Sequence, residues 1–225
     1  SCGGQGGADV VYAMNLANRS RVEVKVRESE FAGAMYFQRT CGQANTEVQC
    51  TAIEGAAAGQ NETTMTATLP AGRYNLVFDG ARPDTFGSAT VNVQVTDLQA
   101  LERSCRTAPL LRPGRTVNGN TNGGSDDFQA SCAGNAGSND VLYRLRITRR
   151  SRVRIDMSSD YDGALHLRRD CTDQTTEVAC NDDEGDNRHS RIEQTLDPGT
   201  YFVVVDGFRT GNEGAYSLEV AVSRP

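Results

Sequence analysis

The chain has 225 residues, 37% of them hydrophobic, with 23 Gly and no Trp. That balance favours short strands and many turns, and no apolar run approaches the roughly 18 residues of a membrane helix. A net charge of -6 argues against nucleic acid as a partner; Lys25 is the one lysine among 23 basic residues, so nearly every cation is Arg.

Val22 to Val26 alternates apolar and polar residues, as a half-buried strand does. Val91 to Val95 repeats that alternation, and Asp97 to Arg103 is the one stretch with helical character. Arg115 to Asn118 and Asp127 to Ala130 read as strands, and Val153 to Met157 alternates again. Tyr201 to Val205 is a continuous apolar, β-branched run, which suits a strand covered on both faces. Turn signals recur about every 8–12 residues: Asn18-Arg19-Ser20, Asp160 to Gly163, Asp182 to Gly185, Pro198-Gly199 and Asp206-Gly207. The rhythm predicts an antiparallel sandwich or jelly roll.

An internal repeat organises these elements. Asp9-Val10-Val11-Tyr12 matches Asp140-Val141-Leu142-Tyr143, and Arg19-Ser20-Arg21-Val22 matches Arg150-Ser151-Arg152-Val153. Cys41 and Cys50 match Cys171 and Cys180 with the same spacing. Leu69 to Tyr74 matches Leu196 to Tyr201, and Asp79-Gly80 matches Asp206-Gly207. The chain is therefore expected to be all-β: two tandem jelly-roll-like antiparallel β-sandwich domains, 1–96 and 105–225, joined by 97–104.

Asp-Val-Leu-Tyr at 140–143, Arg-Ser-Arg-Val, Asp160-Tyr161-Asp162, Cys180-Asn181-Asp182-Asp183 and Pro198 to Gly207 together resemble bacterial pre-peptidase C-terminal domains. The cysteine-bearing tandem form is similar to those in large secreted myxobacterial proteins. The resemblance covers nearly all of the second copy and, more loosely, the first. It implies a jelly-roll-like sandwich, secretion from a bacterium or display on its surface, calcium sites in some members, and an accessory role.

Seven cysteines without a C-x-x-C motif, and only two histidines, point to disulfides in an oxidising compartment. A chain beginning with Ser1 fits a mature or trimmed secreted product. The expected bonds are Cys41–Cys50 and Cys171–Cys180 within each copy, and Cys105–Cys132. Cys2, the counterpart of Cys132, is left unpaired or intermolecular. The first copy has no counterpart of 105–130, so a sheet edge around Val10, Tyr12 and Met14 is expected to need covering. A neighbouring repeat or an identical subunit would supply the strand.

Asp160, Asp162, Asn181, Asp182, Asp183 and Asp186 gather in two loops of the second copy. Calcium takes 6–8 oxygens from carboxylates, Asn and carbonyls, so Ca2+ in the second domain is the expected cofactor. The first copy has Glu30, Ala32 and Thr51-Ala52-Ile53 instead, and no ion is expected there. Asp79 and Asp206 read as turn residues. His166, matched by Tyr36, reads as packing, and His189 lies in a polar loop. No nucleophile–His–Asp arrangement can be argued, so no enzyme is expected. The functional expectation is a non-catalytic structural or adhesive unit of a larger surface or filamentous assembly. The alternative is an accessory module that binds protein or polysaccharide for a secreted hydrolase, using aromatics such as Phe31, Tyr36, Phe37, Tyr161 and Phe208.

Overall fold

A computed structural model describes residues 2, 7–55, 62–134, 137–183 and 189–225. The chain divides into two compact units, Ser1–Gln99 and Ala100–Pro225. The first holds β1 (Asp9–Leu16), β2 (Ser20–Arg27), β3 (Gly33–Gln38), β4 (Glu47–Ile53), β5 (Thr63–Leu69), β6 (Gly72–Gly80) and β7 (Thr90–Asp97). Helix α1 (Leu98–Thr107) follows and crosses the division, so much of the expected linker is helix. Asp97 caps it by accepting the Gln99 N–H, and Asn18 holds the other carboxylate oxygen. The helix stops before Pro109, which lacks the N–H to continue it.

The second unit holds β8 (Val117–Asn120), β9 (Val141–Ile147), β10 (Ser151–Ser159), β11 (Gly163–Arg168), β12 (Glu177–Asn181), β13 (His189–Leu196), β14 (Gly199–Gly207) and β15 (Ala215–Ser223). Each unit is two antiparallel sheets over one core. The first has the orders β1-β6-β3-β4 and β5-β2-β7; the second has β9-β14-β11-β12 and β13-β10-β15-β8. The sheets match in order strand for strand, apart from β8, which lies beyond β15 and has no counterpart beyond β7 among the described residues.

Alternation explains the layers. Val22, Val24 and Val26 turn inward from β2 and pack with Met35, Phe37, Met65, Leu69 and Tyr74. Val153, Ile155 and Met157 do the same from β10. The apolar run Tyr201 to Val205 lies in β14, flanked by β9 and β11. Tyr74 and Tyr201 explain the repeated turn before them: each hydroxyl donates to the carbonyl four residues back, Pro70 at 2.9 Å and Asp197 at 3.0 Å. The repeated Asp-Gly has a steric cause as well. A Cβ on Gly80 would fall onto the Thr85 carbonyl oxygen, and one on Gly207 onto that of Asn212.

Two local expectations need correction. Asp127 to Ala130 is not a strand: the N–H groups of Asp127 and Phe128 turn to one carboxylate oxygen of Asp140, both at 2.8 Å. The strand expected at 115–118 forms two residues later, as β8, where Gly114 has already fixed its approach by donating to the Val220 carbonyl at 2.9 Å.

Candidate functional site

The disulfides differ from the expected set. Cys2–Cys50, Cys105–Cys171 and Cys132–Cys180 are bonded, and Cys41 is an exposed free thiol. Neither Cys41–Cys50 nor Cys171–Cys180 forms, nor does Cys105–Cys132, and it is Cys41, not Cys2, that is left over. Strand register is the reason. Cys50 lies opposite Tyr36, and Cys180 opposite His166, so each sits back along the hairpin from the loop that carries Cys41 or Cys171. At about 3.3 Å per strand residue that separation exceeds the roughly 7 Å Cα reach of a disulfide. Sequence spacing alone gives no sign of this.

The acidic loops behave as turns where they are described. Asn181 spends its side-chain oxygen on the Arg191 N–H and its amide on the Asp183 carbonyl. Asp182 accepts from the Asp183 N–H. Asp160 is exposed and Asp162 half-buried, and the Asp162 carbonyl accepts from the Phe208 N–H. Asp186 lies outside the described residues. Among the described residues, no three His, Cys, Asp or Glu side chains come together as a metal site.

The carboxylates that the structure brings into the interior are others. Asp140 and Asp206 are both buried in the second unit. Burial, reinforced by the Asp206 charge, pushes Asp140 up to about 9 despite its two N–H donors. Burial pushes Asp206 up to about 7, although Ser138 and the Gly207 N–H donate to it. The Asp-Gly repeat was the only sequence signal for Asp206. His166 is fully buried, and burial together with the Arg168 charge keeps it neutral. Its Nδ1 accepts from Arg168 Nε at 3.3 Å, and Arg168 also donates to the Gln129 carbonyl. Glu177 accepts from both the Ser131 N–H and its hydroxyl. These groups clamp residues 129–131.

The clearest difference between the units is an open side on the first. In the second unit, residues 108–120 close the gap between the two sheets. The Arg144 N–H of β9 donates to Pro109, and Leu111 donates back to Arg144, making a short parallel bridge. Leu111 enters the core, and β8 pairs with β15. In the first unit the matching strands lie bare. Tyr12 of β1 is 57% exposed, whereas its register counterpart Tyr143 is 6% exposed and shares a 2.7 Å hydroxyl contact with Tyr216. Val91 and Val93 of β7 are 38% and 43% exposed, whereas Leu218 and Val220 at the same rungs are 0% and 3%. The exposed β1 edge was expected from the repeat. The β7 side was missed, because Val91 to Val95 reads as an ordinary half-buried strand; matching it to Leu218 and Val220 would have revealed it.

No family model matches the chain, and no curated protein matches it. Among solved structures it is similar to the pre-peptidase C-terminal domain of a collagenase from Bacillus anthracis, at 18% identity and a TM-score of 0.39, over 50% of this chain and 93% of that one. It is also similar to the CUB1-EGF-CUB2 domain of human MASP-1/3, at 10% identity and a TM-score of 0.27, over 98% of this chain and 96% of that one. Among the described residues no helix is long and apolar enough to cross a membrane.

Proposed function

We propose that the chain is a non-catalytic extracellular module that serves as a structural unit of a larger assembly. Its first unit takes up the helix–strand segment of a neighbouring repeat, equivalent to residues 98–131. The observation that carries this is the paired contrast at Tyr12 and Val93: both sheets of the first unit are bare on the side that the second unit fills with Leu111 and β8. Bare strand edges with apolar residues invite pairing, and each large side chain covered gains roughly 1.5–3 kcal/mol. Three disulfides in a chain with a free edge fit an oxidising compartment.

The structural role is favoured over sugar binding by the aromatics. Phe37 and Tyr161 are core residues, Phe31 packs against the core, and Tyr36 and Phe208 are half-buried, so these five form no flat exposed platform. Calcium is not part of the proposal; the Asn181 and Asp182 side chains bond to nearby backbone groups.

Calorimetric titration of the full chain with a synthetic peptide of residues 98–131, carrying Cys105→Ser, tests this. Binding with a negative heat-capacity change is expected, and Tyr12→Asp or Val93→Asp should abolish it. Absence of binding at high micromolar peptide would overturn the reading.

A further inference from the structure

Cys41 and Cys171 sit in loops of the same build. Arg39 and Arg169 donate to the carbonyls of Thr46 and Thr176, both at 3.1 Å. The next N–H, of Thr40 or Asp170, donates to the Thr46 or Thr176 hydroxyl at 3.1 or 2.9 Å. That hydroxyl caps a short 3-10 turn by donating to Gln43 or Asp173. Each Arg lies over the ring of the matching tyrosine, Tyr74 at 5.2 Å and Tyr201 at 5.6 Å. The other two cysteines of the first unit repeat the second unit's bond: Cys2–Cys50 corresponds to Cys132–Cys180, and in both the first cysteine's N–H points at the partner sulfur at 3.1 Å.

The matched cysteines differ in their bonding. Cys171 is buried and bonded to Cys105 of α1 with Cα atoms 5.9 Å apart, whereas Cys41 is exposed and free. The loop is already in the bonded shape, and the exposed strands β1 and β7 of the same unit match those that residues 109–120 cover in the second unit.

We propose that Cys41 is a covalent docking site: it forms a disulfide with a cysteine at the C-terminal end of a helix in a neighbouring repeat. The inference rests on the docking reading above and specifies its partner. The partner segment carries the pattern of Cys105 to Leu111, a helix-ending Cys followed by Ala-Pro-Leu-Leu, so that the bond and the core-filling leucine engage together. Chemically, the Cys41 thiol and the partner thiol lose two protons and two electrons to a small-molecule disulfide, which is reduced to two thiols. Cys41–S–S–Cys forms and the small-molecule S–S bond breaks.

The test incubates the full chain with the 98–131 peptide bearing Cys105, in a glutathione and glutathione-disulfide buffer, followed by intact mass and non-reducing peptide mapping. The expected product is one adduct, mapped to Cys41 and peptide Cys105, in at least about tenfold higher yield than with a scrambled peptide containing one Cys, because docking raises the local thiol concentration. Cys41→Ser, an exposed change, should remove the adduct and leave binding of the Cys105→Ser peptide intact. Tyr12→Asp should cut the yield to the scrambled level. If the Cys105→Ser peptide binds but the adduct does not exceed the scrambled control, the covalent inference fails and the docking reading stands. If neither peptide engages, the docking reading fails and takes this inference with it. A predominant Cys41–Cys41 dimer would also overturn it.

Discussion

Asp9 and Asp79 are direct cross-strand partners in β1 and β6, two carboxylates on one rung. Burial, aided by the hydrogen bond and charge of Asp9, pushes Asp79 up to about 6. Asp140 and Asp206 are the matching residues of the second unit, where Asp140 gains the N–H groups of Asp127 and Phe128 from the loop between β8 and β9. Among the described residues, the first unit shows that carboxylate pair without a counterpart of those donors.

These shifts set a pH dependence. Each carboxyl holds its proton longer when folded than at the unfolded value of about 3.9, so its contribution is full below that value and is lost as pH rises through its folded pKa. Thermal stability should therefore fall as pH rises from about 4, through about 6 for Asp79, about 7 for Asp206 and about 9 for Asp140. Asp126, raised by burial and Asp127, acts in the same direction, while the Arg168 charge opposes it at Asp206. Scanning calorimetry against pH checks this. Asp140→Asn should flatten the alkaline part of the slope; an unchanged slope would contradict the assignment.

Tyrosine truncation separates the two units. Tyr143→Ala empties a buried site and loses the hydroxyl contact to Tyr216, and should cost about 3–5 kcal/mol. Tyr12→Ala, at the same rung but exposed, should cost less than about 1 kcal/mol in the chain alone. Denaturant titration of each variant gives the comparison, and equal costs would mean that Tyr12 is already covered.

Native alkylation followed by mapping should label Cys41 and recover Cys2–Cys50, Cys105–Cys171 and Cys132–Cys180. Removing Cys105 and Cys171 together should cost about 2–5 kcal/mol. Recovery of Cys41–Cys50 would reverse the pairing.

Asn181→Ala should cost about 1 kcal/mol, since the Arg191 N–H loses its acceptor and the Asp183 carbonyl its donor. The loss should be the same with a chelator present, because these bonds are within the protein. Chemical denaturation in both buffers checks it, and a loss seen only with calcium would point to a metal role for the loop.

The sheets were readable because alternation at Val22 to Val26 and Val153 to Met157 reports one buried face directly, and because the repeat allowed each copy to be checked against the other. The cysteine pairing was not, since linear spacing carries no information about where Cys50 lies along the hairpin relative to Cys41. In the acidic loops Asp and Asn serve turns as readily as ions, and the hydrogen bonds of Asn181 and Asp182 show the turn use, which spacing alone does not report. The open side was half readable. Copy matching exposed β1, but showing β7 open required the register that places Val91 and Val93 where Leu218 and Val220 are buried.

Hydrogen–deuterium exchange on the full chain, with and without the Cys105→Ser peptide of residues 98–131, bears on the docking edge itself. The Arg144 amide is tied to Pro109, whereas among the described residues the Ala13 amide at the same rung of β1 has no such segment beside it. The free chain should exchange β1 and β7 amides faster than those of β9 and β15, and the peptide should slow β1 and β7 alone. Equal protection of β1 and β9 in the monomeric free chain, with no change on adding peptide, would contradict the account.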